Sequence, residues 1–434
     1  MTPKPIGRYR WTICALVFFA TTINYLDRAV ISLLKSTLEV EFSWSETDYG
    51  NLVILFNLSY ALGMLGAGRL VDKLGTKWGY GIATTLWSLA AMAHGLVTST
   101  FGFGIVRSLL GVTEAGNFPS AIKTTAEWFP KKERAFATGI FNSGANIGAI
   151  VAPLTVPFIA VQWGWQWAFI LTGAIGFIWL ILWWRMYDIP SRHPRVSPEE
   201  LAYIERPEPE DIPAQEGEEK PVRWVELLRF RQTWAFIAGK FFTDPVWWFY
   251  LFWLPAFLTS EYGLGKTEIA LPVALVYTIS TLGSVLGGYL PLYFTNLNWP
   301  VFKARKTAMF IYAMAALPAL TAQYLGSLNM WLAVFIIGLA CSAHQAWSAN
   351  IFTTVSDMFP KRTVASVTGM GGMAGALGGV LIAKIGPMLF DHYKALGELP
   401  TGYFIMFLYC GSAYLIGWTI MHFLVPKMKM IELD

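Results

Sequence analysis

Apolar segments long enough to cross a lipid bilayer recur along the entire chain. A helix that spans the hydrocarbon core needs about 20 apolar residues, and only helices and closed barrels satisfy every backbone hydrogen bond inside a bilayer. We therefore predict an all-α membrane protein with twelve transmembrane helices. The predicted spans, numbered 1 to 12 below, cover residues 11–34, 48–70, 77–97, 101–123, 134–160, 166–187, 231–260, 266–294, 304–325, 328–351, 363–388 and 399–425.

Composition favours a membrane-embedded chain over a soluble protein with one anchor. Of the 434 residues, 55% are apolar and 14% are charged, whereas soluble domains carry about 25% charged residues. The first apolar segment follows basic residues, as in a signal peptide, but it is too long for one and contains Asp27 and Arg28. We therefore expect it to remain as the first span.

The basic residues predict the orientation, because cytoplasmic loops of membrane proteins are enriched in Lys and Arg. With the N-terminus in the cytoplasm, 25 of the 32 Lys and Arg residues fall in cytoplasmic loops and termini. The sequence therefore predicts that both termini are cytoplasmic.

The chain divides into two similar halves. Residues 188–230 hold seven prolines and runs of acidic residues, which predicts a cytoplasmic linker between an N-terminal six-helix bundle (1–187) and a C-terminal six-helix bundle (231–434). The stretch Glu-Trp-Phe-Pro-Lys at 127–131 recurs as Asp-Met-Phe-Pro-Lys at 357–361, an offset of 230 residues. Two parallel repeats predict a transporter whose substrate binds near the bilayer midplane, between the halves.

Span 1 contains an acid and a base side by side, where a charge costs several kcal/mol and is functional by default. Asn24, Asp27 and Arg28 have the spacing i, i+3, i+4, which predicts one shared helix face. Span 4 adds Arg107 and Glu114, two helical turns apart. These residues are the first candidate functional cluster.

Two acids and two bases on facing helices predict an exchange of ion-pair partners. We expect Asp27 to pair with Arg107, and Arg28 to pair with Glu114 in the empty site and with a substrate carboxylate in the occupied one. An acid that loses its cation in apolar surroundings takes up a proton more readily, so this exchange would couple anion transport to proton transport. The alternative is a static network that only stabilises packing; apolar replacements of such pairs are often as stable, which argues against it.

Span 10 carries the second polar cluster, formed by His344, Gln345, Trp347 and Asn350. Gln345 and Asn350 are predicted to bind hydroxyl groups, and Trp347 to cover the apolar face of a sugar ring. His344 could bind a carboxylate or only a backbone carbonyl, and the sequence leaves both open.

Three other spans contribute polar residues. Tyr60 in span 2 and Asn142 in span 5 are further candidates to face the cavity. Lys240 and Asp244 in span 7 are one turn apart, and the simplest interpretation is that they pair with each other.

The loop between spans 2 and 3 holds a motif that resembles the G-x-x-x-D-[RK]-x-G-x-[RK] signature of the major facilitator superfamily. Its glycines allow close helix approach and a tight turn, and its Asp can accept hydrogen bonds from helix N-terminal amides and basic groups. In that family this contact latches the outward-open state, so we assign the motif to gating. The gating residues are Gly68, Asp72, Lys73, Gly75 and Lys77.

Taken together, these stretches resemble the anion:cation symporter branch of the major facilitator superfamily, and within it the bacterial hexuronate transporters most of all. The resemblance runs over essentially the whole chain. It is carried by residues 126–134, by Phe141-Asn142 with Gly148-Ala149, and by Ala343-His344-Gln345-Ala346.

The resemblance implies the major facilitator fold and roles for individual residues. Asp27 and Glu114 would carry the coupling protons, with Arg107 as a partner arginine. The residues implicated in binding the sugar acid are Arg28, Tyr25 and Tyr60. Ala145 stands where the galactonate transporter has Gln, which argues against galactonate itself.

The sequence thus predicts a proton-driven symporter that imports a sugar-acid monoanion, galacturonate or glucuronate first, by alternating access. The alternatives are a transporter of another monoanion, such as an aldonate or an aromatic acid, and a membrane sensor that does not transport. No metal cluster, nucleophile elbow or phosphate-binding loop is found in the sequence, which argues against an enzyme.

We expect no cofactor, no metal and no nucleic acid as a partner. The expected partners are a sugar-acid anion, protons and the lipid bilayer. The expected setting is a bacterial inner membrane, in which the protein acts as a multi-pass monomer.

Overall fold

The computed structural model describes residues 7–44, 46–206, 223–264, 268 and 270–432, and the regular elements in this part of the chain are helices. The α-helices are α1 (Tyr9–Leu33), α2 (Lys35–Phe42), α3 (Glu46–Leu74), α4 (Thr76–Ala93), α5 (Thr100–Glu114), α6 (Asn117–Trp128), α7 (Lys131–Trp163), α8 (Trp165–Met186), α9 (Pro198–Ile204), α10 (Arg231–Tyr262), α11 (Ala270–Asn296), α12 (Val301–Ala316), α13 (Ala322–Leu328), α14 (Met330–Met358), α15 (Val364–Ala395) and α16 (Leu399–Leu424).

Each of the twelve predicted spans coincides with one helix or with two consecutive helices. Within the described residues, nine helical stretches are long and apolar enough to cross a membrane by length and composition. The predicted spans 77–97, 101–123 and 231–260 are helical but fall outside these nine. The all-helical architecture agrees with the prediction, whereas twelve crossings and cytoplasmic termini stay predictions.

Span 4 differs from its prediction because the helix is interrupted. α5 has 15 residues and ends at Glu114, and α6 has 12 residues and begins at Asn117, so neither reaches spanning length alone. Pro119 lies in the first turn of α6, where its missing N–H leaves no hydrogen bond unmade. The interruption therefore falls directly after the buried acid.

Helices that precede and follow the linker meet along two close contacts, α3 with α15 and α7 with α11. Glycines permit this approach. A side chain at Gly369 would collide with the backbone of Met64, and one at Gly139 would collide with the backbone of Ser284. Small residues let membrane helices pack at this distance and slide.

Both described chain ends lie at one end of the bundle, which we call the basic end because the Lys- and Arg-rich loops lie there too. Arg305 Nε lies 2.5 Å from Asp357 Oδ2, and Arg305 Nη2 donates to the Lys131 carbonyl at 3.3 Å. Arg134 donates to the Ser356 carbonyl. The contacts of Arg305 with Lys131 and of Arg134 with Ser356 join helices from both sides of the linker at this end of the bundle.

Part of the predicted linker is docked on the helix bundle. Glu200 of α9 is 1% exposed and accepts hydrogen bonds from the backbone N–H groups of Tyr9 and Arg10, at 3.2 and 3.1 Å. A carboxylate there satisfies first-turn N–H groups of α1 and interacts favourably with the helix dipole. The acidic runs at 208–211 and 216–219 lie outside the described residues, and the division into two six-helix bundles stays a prediction.

His193 fastens the segment before α9 to the bundle. Its Nδ1 accepts a hydrogen bond from the Arg195 N–H at 3.1 Å and its Nε2 donates to the Met186 carbonyl at 3.1 Å, which requires the neutral ring. The rings of Tyr9 and Trp128 lie 4.4 and 5.6 Å from the imidazole. Burial lowers the pKa of His193 from its ordinary value of 6.5.

We predict that acidification loosens this segment. The pKa of His193 is lower in the folded than in the unfolded protein, so its stabilisation is present above about pH 6.5 and is lost as the pH falls through the folded value. Hydrogen exchange over residues 188–206, corrected for the intrinsic rate, should accelerate on going from about pH 7.5 to about pH 5.5. His193→Gln keeps a donor and an acceptor but does not titrate, and should exchange at a constant corrected rate. Equal acceleration in both proteins would contradict the prediction.

Candidate functional site

A polar cavity lies between helices from both sides of the linker. It contains about 650 Å³ of empty space, a figure that includes solvent at its open side. The cavity is lined by Tyr25, Arg28, Tyr60, Met64, Phe118, Asn142, Ala145, Lys240, Asp244, Trp247, Trp248, His344, Gln345, Ser348, Phe352, Gly372 and Ala376. Six of the eight predicted substrate-binding residues are therefore brought together here.

Arg28 and Glu114 form a buried ion pair at the wall of the cavity. Nε and Nη2 of Arg28 each lie 3.0 Å from Oε2 of Glu114. The guanidinium also lies 4.8 Å from the ring centroids of Tyr25 and Tyr60 and 5.1 Å from that of Phe56. The aromatic faces and the carboxylate together replace the water that the cation loses on burial. This is the pairing that the sequence predicts for the empty site.

The predicted pairing of Asp27 with Arg107 is wrong. Arg107 Nη2 donates to the backbone carbonyl of Arg28 at 3.4 Å, and its guanidinium lies 4.5 Å from the ring of Phe56. Asp27 is 1% exposed, and its carboxyl accepts no hydrogen bond from the residues that the structure describes. The nearby hydroxyl of Thr172 donates to a backbone carbonyl of its own helix instead.

Helix geometry explains this correction. Successive residues on an α-helix point about 100° apart, so Asp27 and Arg28 cannot both point at the same neighbour. Asn24 and Arg28, four residues apart, do meet, with Nη2 of the arginine 3.5 Å from Oδ1 of the asparagine. Asp27 is directed toward α8, so the predicted shared face holds for Asn24 and Arg28 alone.

Asn142 and Gln345 connect α7 and α14 across the cavity. Asn142 Nδ2 donates to Gln345 Oε1 at 2.7 Å and to the Ser284 hydroxyl at 3.3 Å. Gln345 Nε2 donates to Asn146 Oδ1 at 3.4 Å. These neutral amides can exchange their mutual hydrogen bonds for bonds to hydroxyl groups.

His344 lines the cavity, but its described partners are other side chains. Its Nδ1 lies 2.7 Å from the Tyr414 hydroxyl, and its ring stacks on Trp247 with centroids 5.2 Å apart. The sequence left a substrate carboxylate and a backbone carbonyl open as partners, and the structure supplies a phenol instead. The hydrogen bond fixes the ring at the cavity wall.

Trp347 and Asn350 lie outside the cavity lining, contrary to their predicted role in substrate binding. Trp347 is fully buried and packs on Tyr414. Asn350 Nδ2 donates to the carbonyls of Gly287 and Ala346, both at 2.9 Å. On α14, His344 lies at one edge of the side that faces the cavity, and Gln345 lies about 100° further round the helix. Measured from His344 in the opposite direction, Trp347 points about 60° away from this side and Asn350 about 120° away.

α10 forms a wall of the cavity that was not predicted from the sequence. Lys240 Nζ lies 2.7 Å from Asp244 Oδ2, and it also lies 3.9 Å from the ring centroid of Phe352. The predicted pair is therefore present, but its position at the cavity was missed. The signal in the sequence was two opposite charges one helical turn apart within an apolar span, because ionisable residues inside a membrane span are functional by default.

The gating motif makes a contact between α3 and the first turn of α15. Asp72 Oδ2 accepts a hydrogen bond from the Ser366 N–H at 2.6 Å, and Oδ1 accepts one from the Ala365 N–H at 3.3 Å. Lys123 Nζ, on α6, lies 2.8 Å from Oδ1. First-turn N–H groups lack helical partners and favour a carboxylate, so this contact joins α3 to α15 at the basic end.

The other gating residues shape the turn around Asp72. A side chain at Gly68 would collide with the Ala365 carbonyl, and Gly75 has a positive φ of 80° that favours glycine. Lys77 Nζ binds Asp188 at 2.9 Å, and the Lys73 side chain is exposed. Gly68 and Asp72 of the motif therefore contact α15, and Lys77 contacts Asp188 at the start of the linker.

Comparison with protein families and curated sequences gives a consistent result. The model of the Major Facilitator Superfamily matches residues 17–383. The hexuronate transporter of Escherichia coli (strain K12) is 32% identical over 395 residues, covering 89% of each chain. The galacturonate transporter of Dickeya chrysanthemi is 33% identical over 285 residues, 66% of this chain and 82% of that protein. The D-galactonate transporter of Escherichia coli O6:H1 is 26% identical over 435 residues, 99% of this chain and 98% of that protein.

Solved structures share the fold at low sequence identity. The proton:xylose symporter XylE, bound to 6-bromo-6-deoxy-D-glucose, matches with a TM-score of 0.76 and 16% identity over 97% of both chains. The Escherichia coli fucose:proton symporter FucP matches with a TM-score of 0.70 and 14% identity, over 96% of this chain and 99% of that one.

We predict that Asp72→Asn opens the basic end. Hydrogen bonds to a charged group contribute about 1.5–3 kcal/mol each, so the loss of the charge should shift the equilibrium about tenfold or more toward the open state. Alkylation of a reporter cysteine, Ser366→Cys, should accelerate accordingly in the Asp72→Asn background. Asp391→Asn, at an exposed acid on the same helix as the reporter, is the control and should leave the rate unchanged. A rate unaffected by Asp72→Asn would exclude a latch at this contact.

Proposed function

The chain belongs to the Major Facilitator Superfamily, and on this premise we propose that it is a proton-coupled symporter of a sugar-acid monoanion. We propose a hexuronate, galacturonate or glucuronate, as the substrate and a bacterial inner membrane as the location. The observation that carries the proposal is the ion pair of Arg28 and Glu114 at the wall of an inter-helix cavity. The names of the curated relatives support the substrate class.

We propose that Arg28 binds the carboxylate of the substrate. Its side chain is 14% exposed, whereas that of Glu114 is fully buried, so the guanidinium separates the acid from the cavity. A planar guanidinium binds a carboxylate through two parallel hydrogen bonds. A substrate carboxylate would therefore compete with Glu114 for the same donors.

Competition at Arg28 supplies the link to the proton. Once Glu114 loses the guanidinium it is a buried carboxylate without a cation, and such a group takes up a proton more readily. Its Oε1 has no hydrogen-bond partner among the described residues, so the charged form has no other support nearby. Anion binding and protonation of Glu114 then favour each other, which is the condition for symport.

Asp27 offers a second carboxyl for proton binding. It is buried without an ion-pair partner among the described residues, an arrangement that favours the neutral acid. Because it faces α8 rather than the cavity, its protonation does not depend on direct competition with the substrate. We therefore propose Glu114 as the acid that senses the substrate and Asp27 as a second proton carrier.

The remaining walls fit a polyhydroxylated ring. Tyr25, Tyr60 and Trp247 present aromatic surface that can cover the apolar faces of a sugar, and Asn142 and Gln345 present amides for its hydroxyls. Binding sites for small molecules commonly combine such apolar walls with a few oriented polar groups. Rocking of the two halves, with release of the Asp72 contact, would expose this cavity at the basic end.

An aldonate is the second candidate substrate, because the D-galactonate transporter matches over nearly the entire chain. Ala145, a cavity-lining residue, stands where the resemblance places a glutamine in the galactonate transporter, and this favours a uronate. An aromatic acid or a sensor that does not transport has no specific observation in its favour.

Uptake by proteoliposomes tests the proposal. An inward proton gradient should drive accumulation of labelled galacturonate or glucuronate above its external concentration, and a protonophore should abolish accumulation. A counterflow panel of uronates, aldonates and aromatic acids would rank the substrates without a gradient. Uptake that is indifferent to the gradient would refute symport, and preference for an aldonate would replace the substrate assignment.

We predict that Glu114→Gln uncouples transport from protons. The neutral amide keeps the shape of the side chain but cannot exchange a proton, so gradient-driven accumulation should fall to the external concentration while counterflow continues. Glu39→Gln is a matched control, because Glu39 pairs with Lys35 on a partly exposed helix, where such pairs contribute at most about 1 kcal/mol. Uphill accumulation by Glu114→Gln would show that another acid carries the coupling.

A further inference from the structure

Two ion pairs face the cavity from opposite halves of the chain, and they present opposite charges to it. The side chain of Arg28 is 14% exposed, and that of its partner Glu114 is 0% exposed. On α10 the order is reversed, because the side chain of Asp244 is 19% exposed and that of Lys240 only 5%. The cavity therefore has a cationic wall at Arg28 and an anionic wall at Asp244.

The ammonium of Lys240 is occupied by its neighbours and positions Asp244. It lies 2.7 Å from Asp244 Oδ2 and 3.9 Å from the ring centroid of Phe352, so it is stabilised by the carboxylate and by the aromatic face. Gly375 on α15 provides the space for the carboxylate, since a side chain there would collide with it. The acid, rather than the lysine, is the group that a bound molecule meets.

We propose that Asp244 sets the charge specificity of the site: it binds a hydroxyl group of a sugar-acid monoanion and excludes the second carboxylate of a sugar dianion. This inference rests on the proposed function. With one carboxylate on Arg28, the polyol part of the substrate extends toward the other half of the cavity. A hydroxyl donates a charge-assisted hydrogen bond to Asp244, whereas a carboxylate in the same place meets a like charge in a site of low dielectric constant.

The experiment compares two acids with the same carbon skeleton, galacturonate with one carboxylate and galactarate with two. Each competes with labelled galacturonate in counterflow by the purified protein in proteoliposomes, and the readout is the ratio of their half-inhibitory concentrations. The unsubstituted protein should reject galactarate. Asp244→Asn removes the like charge and leaves the ammonium of Lys240 uncompensated, so the galactarate-to-galacturonate ratio should fall about tenfold or more.

Two further variants make the test specific. Lys240→Gln leaves Asp244 without its counter-ion, so the acid takes up a proton more readily, as argued for Glu114, and the ratio should fall as it does in Asp244→Asn. Glu261→Gln removes an acid on the same helix that does not line the cavity, and should leave the ratio unchanged. A merely structural role of the pair would lower transport of both acids together and leave the ratio as it was.

The outcomes separate the inference from the proposed function. Galacturonate transport with an unchanged ratio in both Asp244→Asn and Lys240→Gln would overturn the inference alone. Failure of the unsubstituted protein to bind either acid would overturn the proposed function and the inference with it. If Asp244→Asn does not fold, Asp244→Ser removes the same charge and carries the same expected shift. Quenching of the fluorescence of Trp247 and Trp248, which line the cavity, measures both affinities in a variant that folds but does not transport.

Discussion

The desolvated contact between Arg28 and Glu114 is the constraint on which the site depends. Removing two charges from water costs several kcal/mol for each ion, and this chain offsets the cost with two 3.0 Å contacts and with the rings of Tyr25, Phe56 and Tyr60. Apolar side chains could fill the same space at no electrostatic cost, so packing alone does not account for the pair. The proposed sharing of this cation between Glu114 and a substrate acid would account for it.

Hydrogen bonds join the two sides of the linker at the cavity and at the basic end, where a 3.9 Å ion pair, Arg134 with Asp357, crosses as well. Across the cavity, Asn142 donates to Gln345; at the basic end, Asp72 accepts from the N–H groups of Ala365 and Ser366. Hydrogen bonds can be exchanged for bonds to water when such a contact opens, at a net cost of about 0.5–1.5 kcal/mol for a neutral pair. Gly68 on α3 and Gly369 on α15 let the backbones of the two helices approach closely, and small residues let membrane helices slide. The interface is therefore suited to repeated opening.

Features that depend on spacing within one helix could be predicted from the sequence, and those that depend on the rotation of one helix against another could not. The contacts of Asn24 with Arg28 and of Lys240 with Asp244 follow from a separation of four residues. Asp27 was misassigned because the helix that it faces depends on how α1 is rotated about its own axis, and residue spacing within α1 does not determine that rotation. Trp347 and Asn350 were misassigned because they were taken to face the cavity together with His344 and Gln345, whereas a helix presents only one side to it. The interruption of span 4 was missed because Gly and Pro are tolerated within membrane helices.

The contact that Arg107 makes with the backbone of α1, in place of the predicted pair with Asp27, bears on how substrate binding would act on the helices. α5 is held to α1 at the level of Arg28 by two contacts, one from Glu114 to the guanidinium and one from Arg107 to the backbone carbonyl. A substrate carboxylate that displaces Glu114 breaks the first contact and leaves the second, which is a longer hydrogen bond of 3.4 Å to a neutral acceptor. Neutralisation of Glu114 by a proton also removes its attraction to Arg107. Under the proposed function, substrate and proton together would therefore loosen α5 from α1, and the chemistry at Arg28 would act on the packing of the helices as well as on the charge of the cavity.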